Sequence, residues 1–364
     1  MRIDPKAVSV SPASKIHDVM EQLNQSLVGI SLVVDEDRET HLLGTVTDGD
    51  IRRALLKGLT LDAPIREAMS RNPIVAPDGL PGSALLTLMK ANSIRHLPIV
   101  DEAGRLIGLE YLDLTTANDK IEILCAVVMA GGEGQRLRPL TRDLPKPMLP
   151  IGNRPILEII LESLLRSGFH RILISIGYLG QAIQDHFGDG SSFGLEIRYL
   201  IEPEPLGTAG ALGLIPEDLR PASPFLVING DLLTRLNFAA FRDFHLAANY
   251  EFTLCCRPYE VTIPFGYPVL DGDLVADFRE KPTFHHLVNS GIYCLSPDLL
   301  DEVPANTHFN MTELIHALCR ARRRVGVFPL REPFHEIGRL ESYRDAEAFY
   351  LEHFCGERSS SSKT

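Results

Sequence analysis

Arg136, Arg138 and Lys146 crowd a single glycine-rich turn, and no other stretch of the chain concentrates chemistry so tightly. An apolar run over residues 126–130 empties into a loop carrying Gly131, Gly132 and Gly134, with Gln135 next. Lys146 follows between two prolines. Backbone N–H groups free of side chains can close on phosphate oxygens, and fixed cations can neutralise them. No Gly-Lys-Ser/Thr closes the loop, so it is not a Walker A motif. Leu137 stands where the last glycine of a dinucleotide G-x-G-x-x-G would be. A lone glycine cluster is most often a plain strand-to-helix turn. Three cations against one turn favour a triphosphate cradle instead.

Such a cradle needs a frame. The sequence predicts strands at 125–130, 171–176, 195–201 and 225–229, alternating with helices at 155–167, 178–187 and 208–214. Pro155 suits a first helical turn and Gly168 a helix end. This alternation implies a mostly parallel sheet covered on both faces. After Asp231 the order becomes mixed, with strand-like runs at 251–257, 266–270, 274–279 and 288–294. The run Phe225–Asn229 ends in Gly230-Asp231, and ligands of open α/β sheets gather beyond the carboxyl ends of the strands. Alone, Asp231 would read as a cap for the next turn. Beside the cradle it reads as a carboxylate facing phosphate.

Residues 1–118 hold a duplication. Leu32-Val33-Val34-Asp35 and Leu43-Gly44-Thr45-Val46 recur as Leu97-Pro98-Ile99-Val100-Asp101 and Ile107-Gly108-Leu109. A helical stretch precedes each copy, at 16–25 and 84–92. Two such units should bury faces on each other. The polar stretch 115–122 marks a linker, and the serine-rich tail 356–364 is expected to be disordered.

Composition bounds the rest. With 364 residues, 45% apolar and 23% charged, two globular domains are expected. A net charge of −12 argues against nucleic acid or an acidic membrane as partner. The six cysteines show no C-x-x-C, and the N-terminus lacks an apolar signal core. A reduced, cytoplasmic protein is therefore expected, and a homo-oligomer.

The double motif GGEGQRLRPLT and PKPMLPI resembles the signature of sugar-phosphate nucleotidyltransferases, most closely mannose-1-phosphate guanylyltransferases. Gln135 replaces the usual Thr or Ser, and its amide can still donate to phosphate. The resemblance covers roughly the last two-thirds of the chain. It implies a Rossmann-like α/β catalytic domain of GT-A-like form over residues 122–355, with a mixed, mostly parallel sheet. Arg136, Lys146 and Lys281 would be its catalytic cations. Gly131, Gly132, Gly134, Gln135, Gly207 and Thr208 would hold the nucleotide. Gly266, together with Glu280 and Asn289 from the segments Arg279-Glu280-Lys281-Pro282 and Asn289-Ser290-Gly291-Ile292-Tyr293, would face the sugar. Asp231 would bind Mg²⁺ together with Glu336, which stands where the family has Asp in Phe334-His335-Glu336-Ile337-Gly338. That longer carboxylate is the main departure, compatible with a shifted metal site, a slower enzyme or an inactive member.

The segment Glu202-Pro203-Glu204-Pro205-Leu206-Gly207 resembles the family's base-reading loop. Thymidylyl and uridylyl members of the family carry Gln at the place of Glu202. A carboxylate only accepts hydrogen bonds, and guanine offers adjacent N1–H and N2–H donors to it. Glu202 therefore points to GTP, with Glu204 as a second candidate. The implied reaction converts GTP and a sugar 1-phosphate to a nucleotide sugar and pyrophosphate. Uridylyl, thymidylyl or cytidylyl transfer, and a non-catalytic nucleotide-sugar sensor, stay open.

The N-terminal duplication resembles a cystathionine-β-synthase-type (CBS) pair, an α+β module that binds adenine nucleotides in many proteins. Its G-x-[VI]-[ST]-x-x-D pattern is met by residues 44–50, so Thr47, Asp50 and Arg52 are candidates for a regulatory nucleotide. The second copy has Tyr111 and Leu114 at the two contact positions, which implies a lost site. Regulation and a purely structural, chain-pairing role remain two open readings, since Thr47 and Asp50 can equally cap a helix.

Overall fold

The computed structural model describes residues 2–26, 28–35, 41–92, 94–111 and 123–355. The chain divides into two compact units, Met1–Glu122 and Ile123–Thr364. The expected linker at 115–122, Leu114 and the tail at 356–364 lie outside the described residues.

In the first unit each copy of the duplication forms a helix and an antiparallel strand pair. Helix Ile16–Gln25 precedes Ile30–Val34 and Leu42–Thr47, paired with Leu32 opposite Thr45. Helix Gly82–Ala91 precedes His96–Val100 and Leu106–Tyr111, paired with Pro98 opposite Leu109. Ile16, Val19, Met20 and Leu23 recur at helical spacing and bury one stripe against Val33 and Val46. Val8, Ile30, Leu32, Leu106 and Leu109 form one buried cluster, so the two copies share apolar surface.

The second unit is built on seven strands: β1 Leu124–Met129, β2 Phe169–Ile176, β3 Glu196–Ile201, β4 Phe225–Asn229, β5 Phe252–Thr262, β6 Thr283–Leu295 and β7 Val325–Pro329. Their order in the sheet is β3-β2-β1-β4-β6-β5-β7. All pairings are parallel except those of β6, which runs against β4 and β5. β1 is apolar throughout because both its faces are covered. Ala126 and Val128 enter one core cluster while Cys125 and Val127 enter the other, the period-two alternation of a strand between two layers.

Helix α1 (Ile156–Arg166) buries Ile156, Ile159, Ile160 and Leu164 on that sheet. It starts directly after Pro155, and Gly168 beyond its end takes φ +86. Helices α2 (Gly180–Phe187), α3 (Phe238–Ala247), α4 (Met311–Arg320) and α5 (Leu340–Phe354) complete the layers. The helix expected at 208–214 breaks into a four-residue α-turn, Gly207–Gly210, and a 3-10 turn, Ala211–Leu214. β5 and β6 run on past the sheet as a two-stranded arm, β5 five residues beyond its expected end and β6 five residues before its expected start. A hairpin of Tyr267–Asp271 and Leu274–Arg279 joins them.

Candidate active site

β1, β2, β3, β4, β5 and β7 all run the same way, so their carboxyl ends meet at one edge of the sheet. A cleft of about 390 Å³ opens there. Gly131, Gly132, Gly134, Arg136 and Lys146 line one side of it. Glu202, Gly207 and Thr208 line another, and Asn229, Asp231 and Glu336 complete it.

Two glycines of the loop are dictated by space. A side chain at Gly131 would run into the Glu202 carboxylate. Gly134 has φ +60, and a Cβ there would stand 3.1 Å from Cβ of Lys146. The glycines thus let the loop lie flush on Glu202 and on the Lys146–Met148 turn. Thr141, fully buried, fixes the loop by donating from Oγ1 to the Gly134 carbonyl at 2.9 Å.

At the centre, the Lys146 ammonium donates to Oδ2 of Asp231. The two side chains are only 12% and 20% exposed, so this pair is largely out of water. Oδ1 of Asp231 is buried and, among the described residues, accepts no hydrogen bond. Such an orphaned acceptor is costly unless something cationic meets it. Glu336 reaches the same place from Phe334–Glu336, which pairs antiparallel with Leu232–Thr234. Leu232 faces Glu336, and the Ile337 N–H donates to the Asp231 carbonyl at 2.9 Å. The two carboxylates are therefore held together by backbone. Burial pushes the thiols of Cys125 and Cys256 up to about 12 and about 11, which leaves neither a nucleophile at neutral pH.

The loop after β3 is fixed from both sides. Ser175, fully buried on β2, donates to Oε1 of Glu202, and the Leu206 N–H donates to Oε2 at 2.9 Å. Thr208 accepts from the Met311 N–H at 2.9 Å and so ties the loop to the start of α4. Ser175 and Asn229 carry no motif of their own, and Thr141 closes the motif GGEGQRLRPLT without having been singled out. The signal available for Ser175 and Thr141 is a hydroxyl in an apolar setting, which must find a partner.

Other expected residues stand outside this cleft. Gln135 is exposed, and its amide donates to Glu133 at 2.7 Å. Lys281 is exposed, with φ +44, at the turn between the hairpin and β6. Glu280 lies against Gly266 near the Phe278 ring. Asn289 donates to the Tyr293 hydroxyl at 2.7 Å and accepts from the Gly291 N–H at 3.0 Å.

In the first unit Thr47 caps helix Asp48–Leu56 in a reciprocal capping box with Asp50. Asp50 also accepts from Arg53 at 2.6 Å, while Arg52 is 1% exposed and donates to Asp48 at 2.6 Å. The candidate ligand residues of this unit are thus engaged with their own helix.

A family model described as nucleotidyl transferase matches residues 125–353, and the CBS domain model matches 2–57 and 65–109. The chain is 36% identical over 184 residues to a mannose-1-phosphate guanylyltransferase of Mycobacterium tuberculosis, covering 49% of this chain and 50% of that protein. It is 31% identical over 204 residues to a UTP–glucose-1-phosphate uridylyltransferase of Synechocystis sp., covering 51% and 52%. It spans about half the length of these curated relatives. Among solved structures, HddC from Yersinia pseudotuberculosis aligns with a TM-score of 0.50 at 29% identity, covering 62% of this chain and 99% of that one. Among the described residues no helix is long and apolar enough to cross a membrane.

Proposed function

The chain belongs to the nucleotidyl transferase family, and from that premise we propose that it transfers GMP from GTP to a sugar 1-phosphate, releasing pyrophosphate. The Lys146–Asp231 pair, largely out of water and set against the glycine loop in the cleft, is the observation that carries this reading.

In the reaction a phosphate oxygen of the sugar 1-phosphate attacks the α-phosphorus of GTP. The bond from that phosphorus to the bridging oxygen breaks, and pyrophosphate leaves with the electron pair. A phosphate oxygen is already deprotonated at neutral pH, so no side chain need act as a base. The work left to the protein is positioning and charge neutralisation. Arg136 and the loop N–H groups suit the triphosphate, and Lys146 suits the charge growing at the reacting phosphorus.

Asp231 and Glu336 fit a hard divalent cation, since both offer oxygen donors and Oδ1 of Asp231 lacks a partner. Mg²⁺ held there would neutralise phosphate charge and orient the phosphate oxygens. Two carboxylates are within what Mg²⁺ takes, because phosphates and water supply its remaining ligands.

Glu202 supports guanine as the base. Its two oxygens are oriented by Ser175 and Leu206, and each keeps a lone pair for the N1–H and N2–H of guanine. Uracil would set its carbonyls against that carboxylate. Pyrophosphate release should be measured with GTP, UTP, dTTP and CTP against mannose, glucose and glucosamine 1-phosphates. GTP is expected to lead, and Glu202→Gln should narrow its advantage over UTP by roughly 1–3 kcal/mol of discrimination. A wild type that prefers UTP, or a variant with unaltered base preference, would remove the guanine assignment.

A further inference from the structure

Arg257 stands at the carboxyl edge of the sheet, directly after the bulge at Cys255/Cys256 and one residue past the last β5–β7 pair, Cys256 with Pro329. Its guanidinium carbon lies 5.7 Å from the ring centroids of both Tyr259 and Phe334. Phe334 and Glu336 are two residues apart on one short strand, so they share a face about 7 Å apart. Arg257 therefore sits over the face that carries Glu336 into the cleft.

A guanidinium stays charged at every ordinary pH, and burial is costly unless an anion meets it. Nε of Arg257 is buried without a hydrogen-bond partner. Among the described residues no carboxylate forms an ion pair with it. The two rings hold its stem and plane without supplying a counter-charge. Arg257 is half-buried, and among the described residues its charge has no carboxylate partner.

We propose that Arg257 receives the phosphate of the acceptor sugar 1-phosphate, on the side of the carboxylates away from the glycine loop. The inference rests on the nucleotidyl-transfer reading. A planar guanidinium grips a phosphate through two parallel N–H donors, which fixes orientation as well as charge. A positive group beside Glu336 offsets the repulsion an incoming dianion meets from the carboxylates and from the triphosphate. Lys281, one of the catalytic cations the resemblance implies, lies further out on the arm. Arg257 pairs with Val288 and Thr262 with Thr283, so the start of β6 at Thr283 stands about 17 Å along the strand from Arg257, and Lys281 precedes it by two residues. Charge beside the carboxylates falls to Arg257.

The test uses the full chain with Arg257→Met, which keeps an apolar stem on Phe334 and Tyr259, and Arg257→Lys, which keeps the charge. Pyrophosphate release is measured with the sugar 1-phosphate varied, then with the nucleotide varied. Calorimetry without nucleotide measures binding of mannose, glucose and glucosamine 1-phosphates, of inorganic phosphate and of the unphosphorylated sugars. Arg257→Met should raise KM for the sugar 1-phosphate on the order of 10–100-fold, with KM for the nucleotide within about twofold. Arg257→Lys should recover part of the loss. Calorimetry should show the same weakening for the phosphorylated probes and none for the free sugars. Wild-type affinity in Arg257→Met, or a loss shared equally by the nucleotide, would overturn the proposal. If no nucleotide and sugar pair releases pyrophosphate, the transfer reading fails on its own. The binding arm still decides: phosphate binding lost in Arg257→Met supports the site, and its persistence or absence from the wild type sinks it.

Discussion

Lys146 and Asp231 neutralise each other in the free protein, and that contact sets what substitution at either should do. With the side chains only 12% and 20% exposed, removing one leaves the other as an unpaired, partly desolvated charge. Lys146→Ala should therefore disturb Asp231 as well as the phosphate site. Its main expected effect is on kcat, which should fall on the order of 10²–10³-fold with little change in KM, because Lys146 faces charge that grows in the transition state. Steady-state kinetics with either substrate varied would check this. A variant that turns over near the wild-type rate would take Lys146 out of the mechanism. Arg136 belongs to a different class, exposed at the rim of the cleft, and its loss should appear first in KM for the nucleotide.

At the scale of elements, the site depends on how closely the loop after β1 lies on the end of β3. A methyl at Gly131 meets the Glu202 carboxylate, which can move only by giving up Ser175 and the Leu206 N–H. Gly132, its neighbour, has open space where a Cβ would go. Gly131→Ala should cost about 1–3 kcal/mol of stability, and Gly132→Ala should cost little. Equal melting temperatures for the two variants would refute this account of the loop. Elements of this kind were legible in the sequence wherever burial leaves a pattern. β1 to β4, α1 and both strand pairs of the duplication stand within a residue or two of their expected places. The outer halves of β5 and β6 were not, since Tyr259, Val261 and Leu287 are exposed there and no core imposes an alternation. α3 and α4 carry no motif to mark them, and the sequence sets no helix apart at α5. The cleft residues named from the glycine loop and from Gly230-Asp231 are brought together because both segments end adjacent parallel strands. Arg257 was missed because a lone arginine in a strand has no spacing to mark it. Its significance comes from what fails to pair with it.

Across the whole molecule, each unit holds, among its described residues, a histidine whose proton affinity is lowered by desolvation, and that links stability to pH. His245 is 1% exposed, holds Thr253 Oγ1 at 2.9 Å through Nδ1, and has no partner for Nε2. Burial, aided by the positive charge of Arg242, pushes it down to about 4. His96, whose Nε2 donates to the Val28 carbonyl and whose ring stacks on Tyr111 at 5.4 Å, is likewise pushed down by burial to about 4. An unfolded histidine binds its proton near 6.5. Between these values the unfolded chain takes up protons that the folded chain refuses, so stability must fall as pH falls from about 6.5 to about 4. Below that window both states are protonated and the loss stops growing. Each ring accounts for about 3 kcal/mol at the bottom of the window. Urea denaturation of the full chain between pH 7.5 and 4.5 should show the decline, followed by circular dichroism. His245→Gln removes the titrating ring while keeping a polar group against Thr253. It should flatten the pH dependence of the second unit and leave that of the first unchanged, whatever its own effect on stability at pH 7.5. A variant whose stability declines with acid as steeply as the wild type would show that His245 is not the proton-linked group.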